Sequence, residues 1–323
     1  MNDPMALLSR HIDFTGIARA VDAKLGLGAK AKGGRPAWPA EGMMRVLLLQ
    51  QLYKFFRRCA GGPVADRRSF MRFIGLENSG KVPDAKTTWV WRERLKERAA
   101  MGDSSAAIGG QLARAGDIAG GGQVIDASIV SAPIQRDTRE ENERLKQGEV
   151  PQDWSDARRT QKDVDARWTS RHGKSFYGDK PHANTNRRWG LVRVHEVSGA
   201  NVHDSQHFED LIEEANTARG IRADSAHAHK ERDARLKAAG DRVDIHQQGV
   251  GGKSLSEARQ RRNHRIAKDR AFVEHALARL AQQGGKCLRT MGLARAKGAI
   301  GLKVASHNLM RLARLQEAGA MPA

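Results

Sequence analysis

A strand signal interrupted by an acidic residue limits what this chain can fold into. In GGQVIDASIV, residues 121–130, β-branched residues follow a glycine pair, which is typical of a buried β-strand. Asp126 lies in its middle, and the segment contains no basic residue that could pair with it. Burying a carboxylate is costly unless a cation or a metal ion compensates its charge. The strand therefore predicts either a metal ion bound by Asp126 or an edge strand whose aspartate faces water.

Two further acids occur in unusual contexts. Asp224 ends the short strand IRADSA, and Glu274 lies among apolar residues in RAFVEHAL, within an otherwise basic helix. The order three strands, helix, strand, helix, strand, helix allows all three acids to meet at one mixed sheet. Three carboxylates repel one another unless hard divalent cations neutralise them, and Mg²⁺ prefers oxygen ligands. The simpler alternatives are that Asp224 caps a helix and that Glu274 pairs with Arg270 one turn earlier.

The pattern changes along the chain from helical to strand-forming. Residues 1–37 read as a partly helical arm, residues 38–118 as a helical region for DNA binding or dimerisation, and residues 119–323 as a catalytic domain. Within the last, residues 133–172 are highly charged and poor in aliphatic side chains, which predicts a solvated, partly helical insertion. The predicted fold class is α+β, with helices flanking a mixed sheet.

The charge balance points to a polyanionic partner. Among 323 residues, 56 Lys and Arg outnumber 37 Asp and Glu, so the net charge is +19. Each phosphate that such a chain neutralises releases counterions, which favours nucleic acid as the partner. The two cysteines form no disulfide framework, and we find neither a signal peptide nor an apolar span, so we expect a cytoplasmic protein with no membrane partner.

Candidate DNA contacts lie on two predicted helices and on or beside the predicted strand KSFYGDKPHA. The helix that begins after Asp84 could be the second of a helix-turn-helix, and the basic helix around Glu274 could follow phosphates, although charge runs are usually solvated faces. The pair His227 and His229 matches no standard zinc spacing and is expected at the surface. The candidate DNA-binding residues are Thr87, Thr88, Arg92, Lys174, Lys180, Arg261, Arg262, Arg265 and Arg270.

Several long segments carry a family resemblance. The segments GGRPAWPAEGMMRVLLLQQLY, VPDAKTTWVWRERL, VIDASIV, QKDVDARWTSRHGKSFYG, ANVHDSQ, ADSA and VEH occur in this order. In this they resemble the bacterial DDE transposases of the insertion sequence five family, whose catalytic domain has the RNase H-like fold. The resemblance covers nearly the whole chain.

The resemblance implies a function and a set of site residues. Asp126, Asp224 and Glu274 correspond to the family's metal-binding triad, which would hold two Mg²⁺ or Mn²⁺ ions. The chain would cleave double-stranded DNA at the terminal inverted repeats of a mobile element and join the ends to target DNA. It would work as a homodimer or larger assembly, associated with the bacterial nucleoid.

Departures from the family pattern keep two alternatives open. Ala267 and Ala281 stand where the family often has Tyr and Lys, and Asp179 replaces a usual aromatic residue. A catalytically decayed or repurposed transposase could act as a DNA-binding protein, and a metal-dependent nuclease could cleave without strand transfer. The intact acidic triad favours the active transposase.

Overall fold

The computed structural model of the chain describes most of the sequence. The described residues are 3–26, 37–54, 67–77, 81–98, 100–115, 122–171, 173–213, 218–249, 254–283, 285 and 287–321. The segment CAGGP, residues 59–63, which we expect to end the amphipathic helix that follows Pro39, lies outside the described residues.

Among the described residues of the N-terminal region, six helices form. They are α1 (Pro4–His11), α2 (Phe14–Leu25), α3 (Ala40–Tyr53), α4 (Arg68–Ile74), α5 (Ala85–Glu97) and α6 (Ala100–Arg114). Aspartate side chains begin three of them: Asp3, Asp13 and Asp84 each accept a hydrogen bond from a backbone N–H of the first turn, which would otherwise lack a partner. Apolar residues at helical spacing, with Leu8 and Leu47 fully buried, then pack into one core.

A mixed sheet follows. Its strands are β1 (Gln123–Ala127), β2 (Val130–Ser131), β3 (Arg167–Arg171), β4 (Lys174–Asn186), β5 (Val192–Gly199), β6 (Gly220–Ala223) and β7 (Arg242–Ile245). The long strand β4 pairs antiparallel with β1 and β2 along one edge and with β5 and β3 along the other, so that Gly178 has Ser131 on one side and Arg167 on the other. The parallel pairs β1–β6 and β6–β7 complete the sheet.

Helices cover the sheet. The later helices are α7 (Arg139–Lys146), α8 (Asp156–Gln161), α9 (Lys230–Ala238), α10 (Glu257–Gln282) and α11 (Leu293–Glu317). Val273 and Leu277 of α10 pack on Val124 and Ala183 at one face of the sheet. At the other face, Ile125 belongs to a separate apolar cluster that includes Phe208. The α+β class and the order of the main elements agree with the prediction.

Three local expectations differ from the structure. The segment around Asp126 is two strands, because the chain leaves the β4 ladder at residues 128–129. The charged insertion contains two short helices and also the strand β3, which pairs with the start of β4. The segment DSQHFEDLIEEA, residues 204–215, predicts a helix, but its described residues contain only a 3₁₀ helix at Asp204–His207. The short helix that RSFMRFIGL predicts is present as α4, and α5 is the next helix of the described residues.

The helix α11 joins the two regions. Its first half, with Ile300 and Val304, packs in the apolar cluster of the sheet, and its second half, with Leu309 and Leu312, packs in the core of the N-terminal helices. Glu317 near its end accepts hydrogen bonds from the side chain of Arg10 and contacts that of His11. The expected arm at residues 1–37 therefore contributes α1 and α2 to a shared core, and residues 293–317 belong to both regions.

Within the described ranges, no helix is both long enough and apolar enough to cross a membrane.

Candidate active site

The three predicted carboxylates converge on one guanidinium group. Nη2 of Arg270 lies 2.9 Å from Oδ2 of Asp126, 3.4 Å from Oε1 of Glu274 and 3.9 Å from Oδ2 of Asp224. Because all three oxygens lie within 3.9 Å of one nitrogen, no two of them can be farther apart than twice that distance. The structure thus brings together residues that are far apart in sequence.

Each acid is placed by a different element. Asp126 lies in β1, paired with Ala183 of the central strand β4, and the preceding residue, Ile125, pairs with β6 on the other side. Asp224 follows β6, the parallel neighbour of β1, so the ends of both strands reach the same edge. Glu274 lies on α10, which packs on β1. The β-branched pattern around residue 126 was sufficient to predict the first placement, and the ADSA and VEH segments the other two.

The two aspartates share an orientation. Oδ1 of Asp126 accepts a hydrogen bond from the backbone N–H of Ala127, and Oδ1 of Asp224 accepts one from that of Ala226. In each case the other oxygen, Oδ2, is turned towards Arg270. Asp224 also caps the turn that follows it, so the capping role and a place in the acidic site occur together. Glu274 differs, because its side chain is 56% exposed.

Arg270 is the counter-ion of this cluster. Burial by itself lowers the pKa of its guanidinium, but the carboxylates of Asp126, Asp224 and Glu274 outweigh burial and raise that pKa above its ordinary value. The Nε atom of Arg270 is buried and has no hydrogen-bond partner among the described residues. The guanidinium is therefore held mainly through one nitrogen. The pairing of Glu274 with Arg270, the simpler alternative for that glutamate, occurs, and Arg270 also contacts both aspartates.

Neighbouring arginines fix α10 against the sheet, and the sequence did not single them out for this role. Asp269, beside Arg270, accepts hydrogen bonds or ion pairs from Arg187 at 2.6 Å and from Arg222 at 2.7 Å. Two turns earlier, Arg262 contacts Asp244 and the carbonyl oxygen of Ile245 at the end of β7. One sign of this role was present in the sequence, which is an aspartate, Asp269, on the buried side of a basic helix next to Arg270.

The surface position expected for His227 is wrong. His227 is fully buried behind the site, with Nε2 3.9 Å from Oδ1 of Asp224, and burial lowers the pKa of its imidazole. Its ring packs near Phe208, and neither ring nitrogen has a hydrogen-bond partner among the described residues. His229 is exposed as expected and caps α9. The 3₁₀ turn after Asp224 points His227 inwards, which spacing alone did not predict.

Several predicted DNA contacts are engaged inside the protein. Thr88 is buried and its hydroxyl donates to the carbonyl oxygen of Asp84, while the guanidinium of Arg92 is largely buried and hydrogen-bonded to Gln50. Lys180 forms an ion pair with Asp204 at 2.8 Å. These side chains stabilise the fold and are not presented to DNA in this arrangement; Arg262, described above, has the same character.

The remaining candidates face solvent to different degrees. Lys174, Arg261 and Arg265 are exposed, and Thr87 is half-buried with its backbone N–H bonded to Asp84. Sequence reasoning also missed Trp89, which is 56% exposed on α5 in a region where two other predicted contacts are internal. A large exposed aromatic residue on a helix cannot be told from a buried one without knowing which face packs.

A second carboxyl is buried away from the triad. Asp179 of β4 is only 2% exposed, and its Oδ1 has no hydrogen-bond partner among the described residues. Burial, reinforced by the carboxylates of Asp163 and Asp165, raises the pKa of Asp179 to about 7. Asp165 in turn accepts a hydrogen bond from the N–H of Leu293 at the start of α11. The carboxyl group of Asp179, at a position where the resembling family usually has an aromatic residue, therefore changes its protonation state near neutral pH.

The donor set of the triad suits a hard divalent cation. All three side chains supply oxygen atoms, and the two Oδ2 atoms face a common centre. Among the described residues, however, no three His, Cys, Asp or Glu side chains are close enough to bind one ion together. The guanidinium of Arg270 stands between the carboxylates and takes the place that positive charge must occupy. The residues fit such an ion once Arg270 withdraws.

Comparisons with known proteins agree with this geometry. Residues 1–94 match the family described as Transposase domain (DUF772), and residues 144–309 match the Transposase DDE domain. The second match includes Asp224, Arg270 and Glu274, while Asp126 precedes it. No solved structure matches the chain. Because the second match spans half of the sequence, the chain belongs to the DDE transposase domain family, whose members are enzymes that cleave DNA and transfer its strands.

Proposed function

We propose that the chain excises and inserts a mobile element, using Asp126, Asp224 and Glu274 as the ligands of two divalent cations. The observation that carries the proposal is the convergence of these carboxylates, from two neighbouring strands and one helix, around a single cationic group. Mg²⁺ is the preferred ion and Mn²⁺ the alternative, since the donors are all oxygen atoms. Cations held there would activate the attacking oxygen and stabilise the leaving oxygen of a phosphodiester.

The residues of the chain would divide the work by their mobility. Asp126 is fixed in a central strand and Asp224 by its backbone hydrogen bond, so both keep their oxygens oriented. Glu274 is half exposed and can move to complete the site when DNA binds. Arg270, released from the carboxylates, would reach a phosphate of the bound strand, because its guanidinium lies beside the reacting centre.

The substrate would be double-stranded DNA at two places, the terminal inverted repeats of the element and a target duplex. Two ends must be held for coordinated cutting, so we propose a homodimer or a larger assembly. The net charge of +19 supports tight, salt-dependent association with chromosomal DNA, and so a place on the bacterial nucleoid. The finer assignment to the insertion sequence five family rests on the resemblance of the segments quoted above.

The test uses purified full-length protein with labelled duplexes that carry the DNA flanking its coding sequence, with Mg²⁺ or EDTA. The proposal expects Mg²⁺-dependent cleavage followed by joined products. Cleavage without joining would support the nuclease, and binding without cleavage the decayed or repurposed transposase. Asp153→Asn, at an exposed aspartate of the insertion, is the matched control for Asp126→Asn and should cleave as the wild type does.

A further inference from the structure

The helix α10 presents a basic face that points away from the acidic site. Successive residues of an α-helix are rotated by about 100°, so Glu274 lies about 40° from Arg270 around the helix axis. Arg265, Lys268 and Arg279 lie about 140–160° from the middle of that pair. All three are exposed, and Phe272, 38% exposed, lies among them. We define these four residues as the outer face of α10.

The charge of the outer face is uncompensated. No ion pair joins Arg265, Lys268 or Arg279 to an acidic side chain of the described chain. From residue 258 to residue 282 the helix contains only two acids, Asp269, which is buried, and Glu274, which belongs to the triad. Arg261, one turn before Arg265, differs because it pairs with Glu257 at 3.3 Å. An exposed surface with three unpaired cations suits a polyanion.

A duplex held at the carboxylates cannot also lie on the outer face. An α-helix with its side chains is about 10–12 Å thick, so the two faces are separated by the whole helix. Bending one stiff duplex around so narrow an object would cost far more than three phosphate contacts return. A DNA segment on the outer face must therefore be a different one from the segment being cut.

The chemistry of the outer face distinguishes between the two DNA partners. Arg265, Lys268 and Arg279 can each bind phosphate; arginine and lysine can also contact guanine, but the face offers no asparagine or glutamine for adenine and no acid for cytosine. Contacts to phosphate position a duplex without reading its sequence. Element ends must be recognised by sequence, whereas a target duplex need only be held.

We propose that the outer face of α10 is a docking surface for target DNA, which it binds through phosphates while the carboxylate site holds an element end. This inference rests on the proposed transposase function, because it requires a second duplex. The surface extends about 21 Å from Arg265 to Arg279, since each helical residue rises 1.5 Å. That length faces the phosphates of about half a turn of duplex, which three side chains can contact.

The first experiment measures binding of a fluorescent duplex of mixed sequence, about 30 base pairs long, over a range of salt concentrations. The triple variant Arg265→Gln, Lys268→Gln, Arg279→Gln should reduce the log–log salt slope by about 2–3, since each lost phosphate contact removes about 0.9. The matched control neutralises three exposed cations of α9, in Lys230→Gln, Arg235→Gln, Lys237→Gln. The control changes the net charge equally, so its slope should stay at the wild-type value.

The second experiment separates cutting from joining. With labelled element ends and a plasmid target, the α10 variant should lose joining at least about tenfold more than it loses cleavage, and low salt should restore joining. Equal loss of cleavage and joining would assign the face to element ends and overturn the proposal. Equal loss in the α9 control would reduce the effect to net charge and also overturn it. If wild-type protein neither cleaves nor joins, the proposed function fails first, while the salt slopes still test the surface.

Discussion

Replacing Arg270 by glutamine tests the arrangement at the centre of the site. The change removes the positive charge that three carboxylates share, at 2.9, 3.4 and 3.9 Å. With an effective dielectric constant of about 20, each of these attractions amounts to roughly 4–6 kcal/mol before desolvation. Removing one partner of a buried ion pair typically costs about 3–5 kcal/mol, because the remaining charge stays buried.

The geometry lowers that figure. Glu274 is 56% exposed and can turn to water, so it relieves part of the repulsion, whereas Asp126 is 6% exposed and cannot. We therefore expect Arg270→Gln to lower the free energy of unfolding by about 2–4 kcal/mol in EDTA. For a chain of this size the melting temperature should fall by about 3–6 °C.

Divalent cations should reverse the loss. With the guanidinium gone, Mg²⁺ or Mn²⁺ meets no competitor for the carboxylates, and a concentration of about 100 times the dissociation constant restores about 2.7 kcal/mol. Mn²⁺ binding, followed by electron paramagnetic resonance, should be tighter in the variant than in the wild type. Thermal unfolding in EDTA and in millimolar Mg²⁺ measures the corresponding stabilities.

Arg187→Gln is the matched control. It breaks an ion pair of the same helix, with Asp269, at a place remote from the two Oδ2 atoms. It should be destabilised without regaining stability from Mg²⁺. An Arg270→Gln protein as stable as the wild type in EDTA, with the same response to Mg²⁺, would refute the idea that Arg270 is the counter-ion of the triad.

Three further changes test other parts of the structure. Asp126→Asn should reduce Mg²⁺-dependent cleavage by orders of magnitude while end-DNA binding stays near the wild-type level; cleavage at the wild-type rate would remove Asp126 from the site. Asp179→Asn should stabilise the protein by about 1–3 kcal/mol above pH 7, and this gain should shrink as the pH falls towards 4. The reason is that the pKa of Asp179 is raised in the folded state, so the wild type loses stability as the pH rises from about 4 to about 7. Denaturant titration at several pH values measures the difference in the free energy of unfolding. Asn308→Ala should cost about 2–3 kcal/mol, because its side chain bonds both the N–H and the carbonyl oxygen of Val192, and a cost below about 0.5 kcal/mol would contradict that reading.

The sequence was informative where one interaction dominates the local pattern. The run of β-branched residues in β1 fixed both a buried strand and the anomaly of Asp126, and both are present in the structure. The caps at Asp84 and Asp224 followed from local hydrogen bonding, which needs no knowledge of tertiary structure. Convergence of the acids followed from the order of the elements together with the family resemblance.

Prediction was poor where the role of a side chain depends on whether it faces the core or the solvent. Thr88 and Trp89 are adjacent on α5, yet the first is buried and the second exposed, so the choice of DNA-contacting residues on that helix depended on an unknown rotation. Lys180 and Arg262 look like phosphate ligands until their carboxylate partners, distant in sequence, are located. The strand β3 was missed because most of its residues are polar or charged and exposed, and its stability derives from pairing with β4.

The way α11 packs has a consequence for how the chain is made. The helix α1 completes its core only with residues of α11, about 300 residues later in synthesis. At about 5–20 residues per second, Leu8 and its apolar neighbours wait about 15–60 s on the ribosome before their partners emerge. A nascent chain in that interval has exposed apolar helices that attract chaperones and proteases. We therefore expect a truncated copy that stops before α11 to be degraded rather than to persist as a DNA-binding competitor of the full-length enzyme. The abundance of a truncated copy in cells should depend on whether it retains α11, and not on whether it retains the three acids.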